Sequence, residues 1–467
     1  MDFLDREEEL LRLDASLAQP RPFAAIWGRR RVGKSRLLIE WSRRCGGLYT
    51  MADPSAPAVQ RRYLAETVAR RFPRFADVEY PDWRSFLDRL ADEARATGWR
   101  GPFIIDELPY LVQADASVPG ALQNWLDGER PRPALAVSGS SQQMMYGAVL
   151  AADAPLYGRA SEAFALRPLR PGYLGEAMDL ADARSQVVAY ALWGGLPRYW
   201  ELAAPFGTGF DRAVDPLVLD TPGALHEGPP RLLLEETPPA TVLRPLLDVI
   251  GAGAHRVSEM AGRLGRPASS LSRSLATLVA MDFVRREIPF GSDPRSDKRS
   301  LYRLADPFLR LWFRVVAPHR AALAEARRET RLAYWQRQRA ALEAYAWEEL
   351  CRMAVPFLHR ADHPLAPLGP FEPARRYWRG RAPEVDVVAR SVDGRHVLVG
   401  EAKWRAGPLS AAEADAWLAR LRAATRVLPG IEGCRVVYAF FVPHGGGRVR
   451  HADMHVVDAG TVMGVLR

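Results

Sequence analysis

Residues 28–35 read Gly28-Arg29-Arg30-Arg31-Val32-Gly33-Lys34-Ser35, directly after the apolar run Phe23–Trp27 and directly before the helical run Arg36–Trp41. Nothing else in the chain restricts its fold as strongly. The pattern G-x-x-x-x-G-K-[ST] between a strand and a helix is that of a loop that wraps phosphate. Its glycines let successive backbone N–H groups surround phosphate oxygens, and the helix N-terminus adds positive potential. Gly28, Arg31, Val32, Gly33, Lys34, Ser35 and Arg36 are therefore the candidate nucleotide contacts. Lys34 is expected to reach the β- and γ-phosphates and Ser35 to ligate Mg²⁺. Further apolar runs, Phe103–Ile105 and Leu135–Val137, alternate with helical stretches, as in a parallel α/β sheet.

The second of these runs ends in two acids, Asp106 and Glu107. About 70 residues past a phosphate loop, such a strand end suits an Asp106 that holds Mg²⁺ through water and a Glu107 that orients or deprotonates the attacking water. The third ends in Ser138-Gly139-Ser140-Ser141, whose hydroxyls are candidates for the γ-phosphate or the water; a plain Ser-rich turn is the competing reading.

These motifs together resemble the archaeal-type ATPases, a branch of the P-loop NTPases related to the STAND class. The resemblance opens at Phe3-Leu4-Asp5-Arg6-Glu7-Glu8-Glu9-Leu10 and continues through GRRRVGKS, Ile104-Ile105-Asp106-Glu107-Leu108 and Ser138-Gly139-Ser140. It extends to Leu156-Tyr157-Gly158-Arg159 and Gly194-Gly195-Leu196-Pro197. It implies ATP and Mg²⁺ as ligands, a helical lid, and a base contact by Pro197. Arg159 becomes a candidate γ-phosphate sensor, because a guanidinium suits the charge of a phosphoryl group in transfer. In a chain with 61 Arg among its 64 Lys+Arg, an ordinary surface role for Arg159 competes.

Three regions are expected: 1–240, a P-loop ATPase with helical lid; 241–304, a winged helix; and 305–467, a helical linker and a nuclease-like α/β domain. The Pro-rich stretches Thr221–Pro230 and Thr237–Pro239 read as linkers. In the middle region Val257, Met260, Ala261 and Leu264 share one helix face, and Leu271, Leu275, Leu278 and Val279 another. Gly265 suits a C-cap between them and Pro267 a first turn. Two strands, Phe283–Ile288 and Ser300–Leu304, would flank a wing bearing Arg295, Lys298 and Arg299. Residues 251–304 hold ten Arg or Lys against five Asp or Glu, which suits contacts to DNA phosphates. An intramolecular lid is the alternative.

In the last region Glu384-Val385-Asp386 and Val397–Trp404 alternate as two strands around the turn Asp393-Gly394. Glu401 and Lys403, two apart, share a face. Helix, hairpin, helix and strand with D…E-x-K resemble the PD-(D/E)xK nuclease superfamily. That resemblance implies that Asp386 and Glu401 hold Mg²⁺ and that Lys403 positions water and stabilises charge. Glu348, with Glu349 as second choice, would complete the metal site. A solvated hairpin is the plain alternative. The Pro that commonly precedes the Asp is absent here, where Val385 stands.

The formal charge of +9 agrees with an anionic partner. No apolar run approaches a membrane span, and Cys45, Cys351 and Cys434 lie far apart, so a reducing cytoplasm without a membrane partner is expected. Lys34, Lys298 and Lys403 are the chain's three lysines, and two of them occupy positions where these motifs demand one. The resulting expectation is an ATP-controlled protein that acts on DNA with a C-terminal nuclease. The alternative is a STAND-like switch whose nuclease-like domain binds without cutting. A homo-oligomer is left open.

Overall fold

The computed structural model describes residues 2–140, 145–230, 240–293, 295, 299–380, 382–445 and 454–467. Ser141, Lys298 and the expected linker at 237–239 lie outside the described residues. The chain divides into two compact units. Among the described residues, one comprises 5–168 and the other 169–230 and 240–467 with 2–4.

The first unit is built on an all-parallel sheet of β1 (Phe23–Trp27), β2 (Leu48–Met51), β3 (Phe103–Asp106), β4 (Leu135–Gly139) and β5 (Glu162–Ala165), in the order β2-β3-β4-β1-β5. Residues 23–26 and all of β3 are buried, the near-continuous apolar pattern of strands covered on both faces. The helix Trp83–Thr97, capped by the Asp82 side chain on the Ser85 N–H, lays Phe86 and Leu90 into the core with Phe103 and Ile105. Phe75, Tyr80 and Phe86 stack and edge-pack with ring centres 5.1 Å apart. Because β4 lies between β1 and β3, the segments leaving these three strands share one carboxyl edge, where open parallel sheets bind ligands.

In the second unit the helix Ala183–Trp193 is buried at every position from Val187 to Trp193. A helix that is apolar all round has to be enclosed. It packs on the helices Pro307–Leu311, Arg328–Ala354 and Ala459–Val465. Residues 169–230 therefore pack with C-terminal elements, and the compact part of the expected 1–240 region ends at Pro168. Thr221–Pro230 is no linker either. Leu225 and His226 are buried, and the His226 carbonyl accepts from Trp312 Nε1 at 2.6 Å. Its prolines mark turns within packed structure rather than an exposed tether.

The helices Ala240–Gly251, Val257–Leu264 and Ala268–Ala280 precede the antiparallel pair β6 (Val284–Glu287) and β7 (Leu301–Leu304), a helix-turn-helix with a hairpin. Gly265, at φ +60°, caps the second helix in the left-handed conformation. The last sheet contains β8 (Arg375–Tyr377), β9 (Val385–Arg390), β10 (His396–Ala402), β11 (Arg435–Phe441) and β12 (Met454–Val457), ordered β12-β11-β10-β9-β8. β9 and β10 form the expected antiparallel hairpin, and the helix Ala411–Thr425 crosses over to the parallel β11. Ser410 and Glu413 cap that helix reciprocally.

Candidate nucleotide and nuclease-like sites

The phosphate loop is tightly determined. Gly28 has φ +149°, and a Cβ there would stand 2.6 Å from the Leu166 carbonyl oxygen, so the position requires glycine. Gly33, at φ +102°, precedes the helix Lys34–Cys45. Lys34 is 4% exposed and its Nζ donates to the carbonyls of Gly28 (2.9 Å) and Arg29 (3.3 Å). Arg6, buried, donates from Nη2 to the Val32 carbonyl (3.1 Å) and the Arg167 carbonyl (2.9 Å), which ties the loop to the segment after β5. Sequence reasoning recorded Arg6 only as part of a resemblance.

At the end of β3, Asp106 is fully buried and accepts from three donors. Ser138 Oγ and the Glu107 N–H (3.0 Å) donate to Oδ1, and the Tyr49 hydroxyl donates to Oδ2 at 2.6 Å. The Ser35 hydroxyl lies near the Tyr49 phenol. Burial, then the Asp106 charge, holds the Tyr49 phenol well above its usual range, so it stays protonated as a donor. Tyr49 was not singled out from the sequence. Glu107 sits at φ +56°, a strained conformation for this residue type, and its Oε2 accepts from Ser140 N–H (3.0 Å) and Ser140 Oγ (2.9 Å). Ser140 thus engages Glu107, and Ser138 engages Asp106. The Ser35 hydroxyl and the Asp106 carboxylate are hard oxygen donors of the kind Mg²⁺ takes.

Arg159, the expected sensor, is engaged within the first unit. Its hydrogen bonds go to Asp127, at 2.8 and 2.7 Å, and to the carbonyls of Pro155 and Tyr157. A two-point carboxylate partner uses the geometry that a phosphate would need. Pro197 opens the helix Pro197–Ala203 in the second unit.

In the C-terminal sheet the expected residues meet. Asp386 on β9 accepts the Ala402 N–H at Oδ2 (3.1 Å). Lys403 Nζ lies 2.8 Å from Glu401 Oε1 and 3.7 Å from Asp386 Oδ2. Arg420, from the crossover helix, reaches Glu401 Oε1 at 3.5 Å. Glu348 lies beside them: burial and then the Asp386 charge raise its pKa, and the same two causes, in that order, raise that of Glu401. Negative potential is thus concentrated where a cation would relieve it. Burial opposes the Lys403 charge, but Glu401 and Asp386 outweigh it and raise its pKa. Glu349 faces elsewhere. It is 3% exposed and paired with Arg310 and with Arg285 (2.7 Å), so it is not part of this group. The three carboxylates Glu348, Asp386 and Glu401 are hard oxygen donors suited to Mg²⁺, although no group of three or more His, Cys, Asp or Glu stands close enough to grip a metal among the described residues.

The hairpin of the helix-turn-helix is docked rather than free. Phe290 is buried with Tyr377 and Val388 of the C-terminal sheet, and its N–H donates to the Arg376 carbonyl (2.8 Å). Trp378 Nε1 donates to the Arg299 carbonyl (3.2 Å), and Glu287 is within 3.7 Å of Arg376. The second helix keeps an outward face of Ser269, Ser270, Ser272, Arg273 and Thr277, with Arg266 exposed just before it. The basic-wing expectation is thus corrected in part: long-range apolar burial of Phe290 takes the base of the wing away from solvent.

Residues 312–416 match a family described as "Archaea bacterial proteins of unknown function" (DUF234), and residues 246–287 match the IclR helix-turn-helix domain. A relative in Methanocaldococcus jannaschii, the uncharacterized protein MJECL04, is 27% identical over 417 residues, covering 86% of this chain and 88% of its own. The Walker-type ATPase paby2304 of Pyrococcus abyssi superposes with TM-score 0.53 at 21% identity, over 67% of this chain and 97% of that one. At that identity the likeness is one of fold. The chain therefore combines a parallel-sheet fold of the P-loop ATPase kind with a helical region, a helix-turn-helix with hairpin, and a C-terminal α/β sheet. Among the described residues no helix is long and apolar enough to cross a membrane.

Proposed function

We propose that the chain binds and hydrolyses ATP, acts on DNA, and carries a magnesium-dependent nuclease site in its C-terminal sheet. The observation that supports the reading is the shared carboxyl edge of β1, β4 and β3, which the loop carrying Lys34 and Ser35 and the strand end carrying Asp106 and Glu107 both leave. On this reading the loop N–H groups and Lys34 hold the triphosphate. Glu107, once released from Ser140, orients the attacking water and accepts its proton. Ser35 and Asp106 would hold Mg²⁺, which neutralises charge on the phosphoryl group when bound. In the C-terminal sheet Asp386, Glu401 and Glu348 would hold the ion, and the Lys403 ammonium would stabilise negative charge on the scissile phosphate. The outward face of the helix Ala268–Ala280, with Arg266 and Arg273, is the proposed DNA contact.

The test is ATP turnover by the purified chain and by Lys34→Ala and Glu107→Gln, beside Mg²⁺-dependent cleavage of duplex and single-stranded DNA by wild type and Lys403→Ala. Turnover lost in both loop variants, and cleavage lost in the third, supports the proposal. A wild type without turnover sinks its first part, and one without cleavage of any DNA form its last. A second reading, a STAND-like switch without cleavage, is favoured by the closure of Lys403 on both carboxylates and by the absence of a preformed three-acid grip among the described residues. Nucleotide-dependent change of oligomeric state without DNA cleavage would select it.

A further inference from the structure

Between the two residues expected at the metal end of the nucleotide site stands a third side chain. The Tyr49 hydroxyl donates to Asp106 Oδ2 at 2.6 Å, with the Ser35 hydroxyl near it. Tyr49 comes from β2, which pairs with β3 in register Tyr49↔Ile104 and Met51↔Asp106, so its ring lies on the face of the sheet that carries Asp106. Its neighbour Thr50, fully turned to the other face, bonds the Ile104 carbonyl at 2.6 Å and secures the strand pair independently. The Tyr49 hydroxyl is thus not needed for pairing of β2 with β3. It forms one end of a hydrogen-bonded run Tyr49, Asp106, Ser138, with Ser35 near that end.

We infer that Tyr49 is a positioning residue for the metal end of the nucleotide site, its hydroxyl fixing the aim of the Asp106 carboxylate beside Ser35. This rests on the nucleotide reading proposed above. Outer partners of this kind fix the orientation of metal-binding groups, and their loss costs about 10- to 100-fold in metal affinity. Tyr49 acts through Asp106, leaving the phosphate grip of Lys34 and the loop N–H groups alone.

The experiment compares wild type with Tyr49→Phe, which keeps the ring and removes one oxygen. A fluorescent ATP analogue is titrated onto each full-length protein in EDTA, and then at fixed analogue against increasing MgCl₂. Tyr49→Phe is expected to bind the analogue in EDTA as wild type does, to unfold at the same temperature, and to need about 10- to 100-fold more Mg²⁺ for the metal-dependent change in signal. An unchanged Mg²⁺ requirement overturns the inference. So does a lowered one, which would make Tyr49 a competitor of the ion, and so does loss of binding in EDTA, which would make it a support of the loop. If wild type itself fails to bind the analogue, the nucleotide reading fails, and that outcome is read on wild type alone.

Discussion

Glu348 and Glu349 are neighbours on one helix, and replacing each by Gln should give opposite results. Glu349 is 3% exposed and compensates two guanidiniums, Arg310, whose side chain is 11% exposed, and Arg285, 2.7 Å away and half exposed. Burial alone would raise its pKa, but Arg310 and then Arg285 outweigh that and lower it. Removing one charge from a buried group of this kind costs about 3–5 kcal/mol. Arg285 can turn to water, which places Glu349→Gln near 3 kcal/mol, at the lower end of that range of about 3–5 kcal/mol. At about 2–4 °C per kcal/mol for a unit of this size, the unfolding midpoint should fall by roughly 6–12 °C. Glu348 is the reverse case. Its pKa is raised, by burial and then by Asp386, so its charge is a net cost in the folded state. Glu348→Gln should be neutral or stabilising, by no more than about 1 kcal/mol, as is common where an active site concentrates like charge. The pH profiles carry opposite signs. Glu349 contributes stability that is present above the ordinary carboxylate range and lost as pH falls through its lowered folded value, so the deficit of Glu349→Gln should shrink in acid. The cost from Glu348 is absent at low pH and grows as pH rises from the ordinary carboxylate range through its raised folded value, so the gain of Glu348→Gln should appear toward neutrality. Thermal unfolding of the full chain from pH 4 to 7.5 is the assay. Equal midpoints for the two variants, or a larger loss for Glu348→Gln, would refute the assignment of one glutamate to packing and the other to the site.

Gly28→Ala forces a Cβ to within 2.6 Å of the Leu166 carbonyl at a φ of +149°, so the loop should distort by about 1–3 kcal/mol and nucleotide affinity in an equilibrium titration should fall accordingly. Arg266→Ala with Arg273→Ala should weaken DNA binding across sequences and reduce the slope of log affinity against log salt by about 2. Phe290→Ala should instead lower the unfolding midpoint, because that ring belongs to the C-terminal core. Lys403→Arg should preserve stability while abolishing DNA cleavage, since a planar fork would grip Glu401 at two points rather than serve both carboxylates.

What was legible in the sequence was local. A phosphate loop declares itself within eight consecutive residues, and the β9–β10 hairpin within about twenty, because the strand period of two sets Glu401 and Lys403 on one face without help from the rest of the fold. Tyr49 stayed hidden because a tyrosine in a strand reads as ordinary β propensity, and its hydroxyl gains meaning only once β2 lies beside β3. The docking of Phe290 and the enclosure of Ala183–Trp193 depend on partners far along the chain. Arg159 is the converse case: a resemblance supplied its role, and the contact the fold shows, to the carboxylate of Asp127, could not be read from the sequence.

The chain's preference for arginine sharpens the chemistry of the two lysines that can be described. Arginine here does structural work at fixed two-point contacts to one carboxylate: Arg159 on Asp127, and Arg331 on Asp215 at 2.8 and 3.1 Å. Lys34 and Lys403 do something a planar group does poorly. Each places a compact charge at the apex of two acceptors that belong to different residues, Gly28 and Arg29 carbonyls in one case, Glu401 and Asp386 carboxylates in the other. Three donors on one nitrogen can leave such acceptors for an incoming phosphate by rotating about the last bonds of a flexible stem, whereas a guanidinium would have to break two parallel hydrogen bonds together. Two of the three positions where this chain departs from its own habit are, on the proposed reading, those where the cation has to change partners, and the same physical demand explains both without reference to what either site binds first.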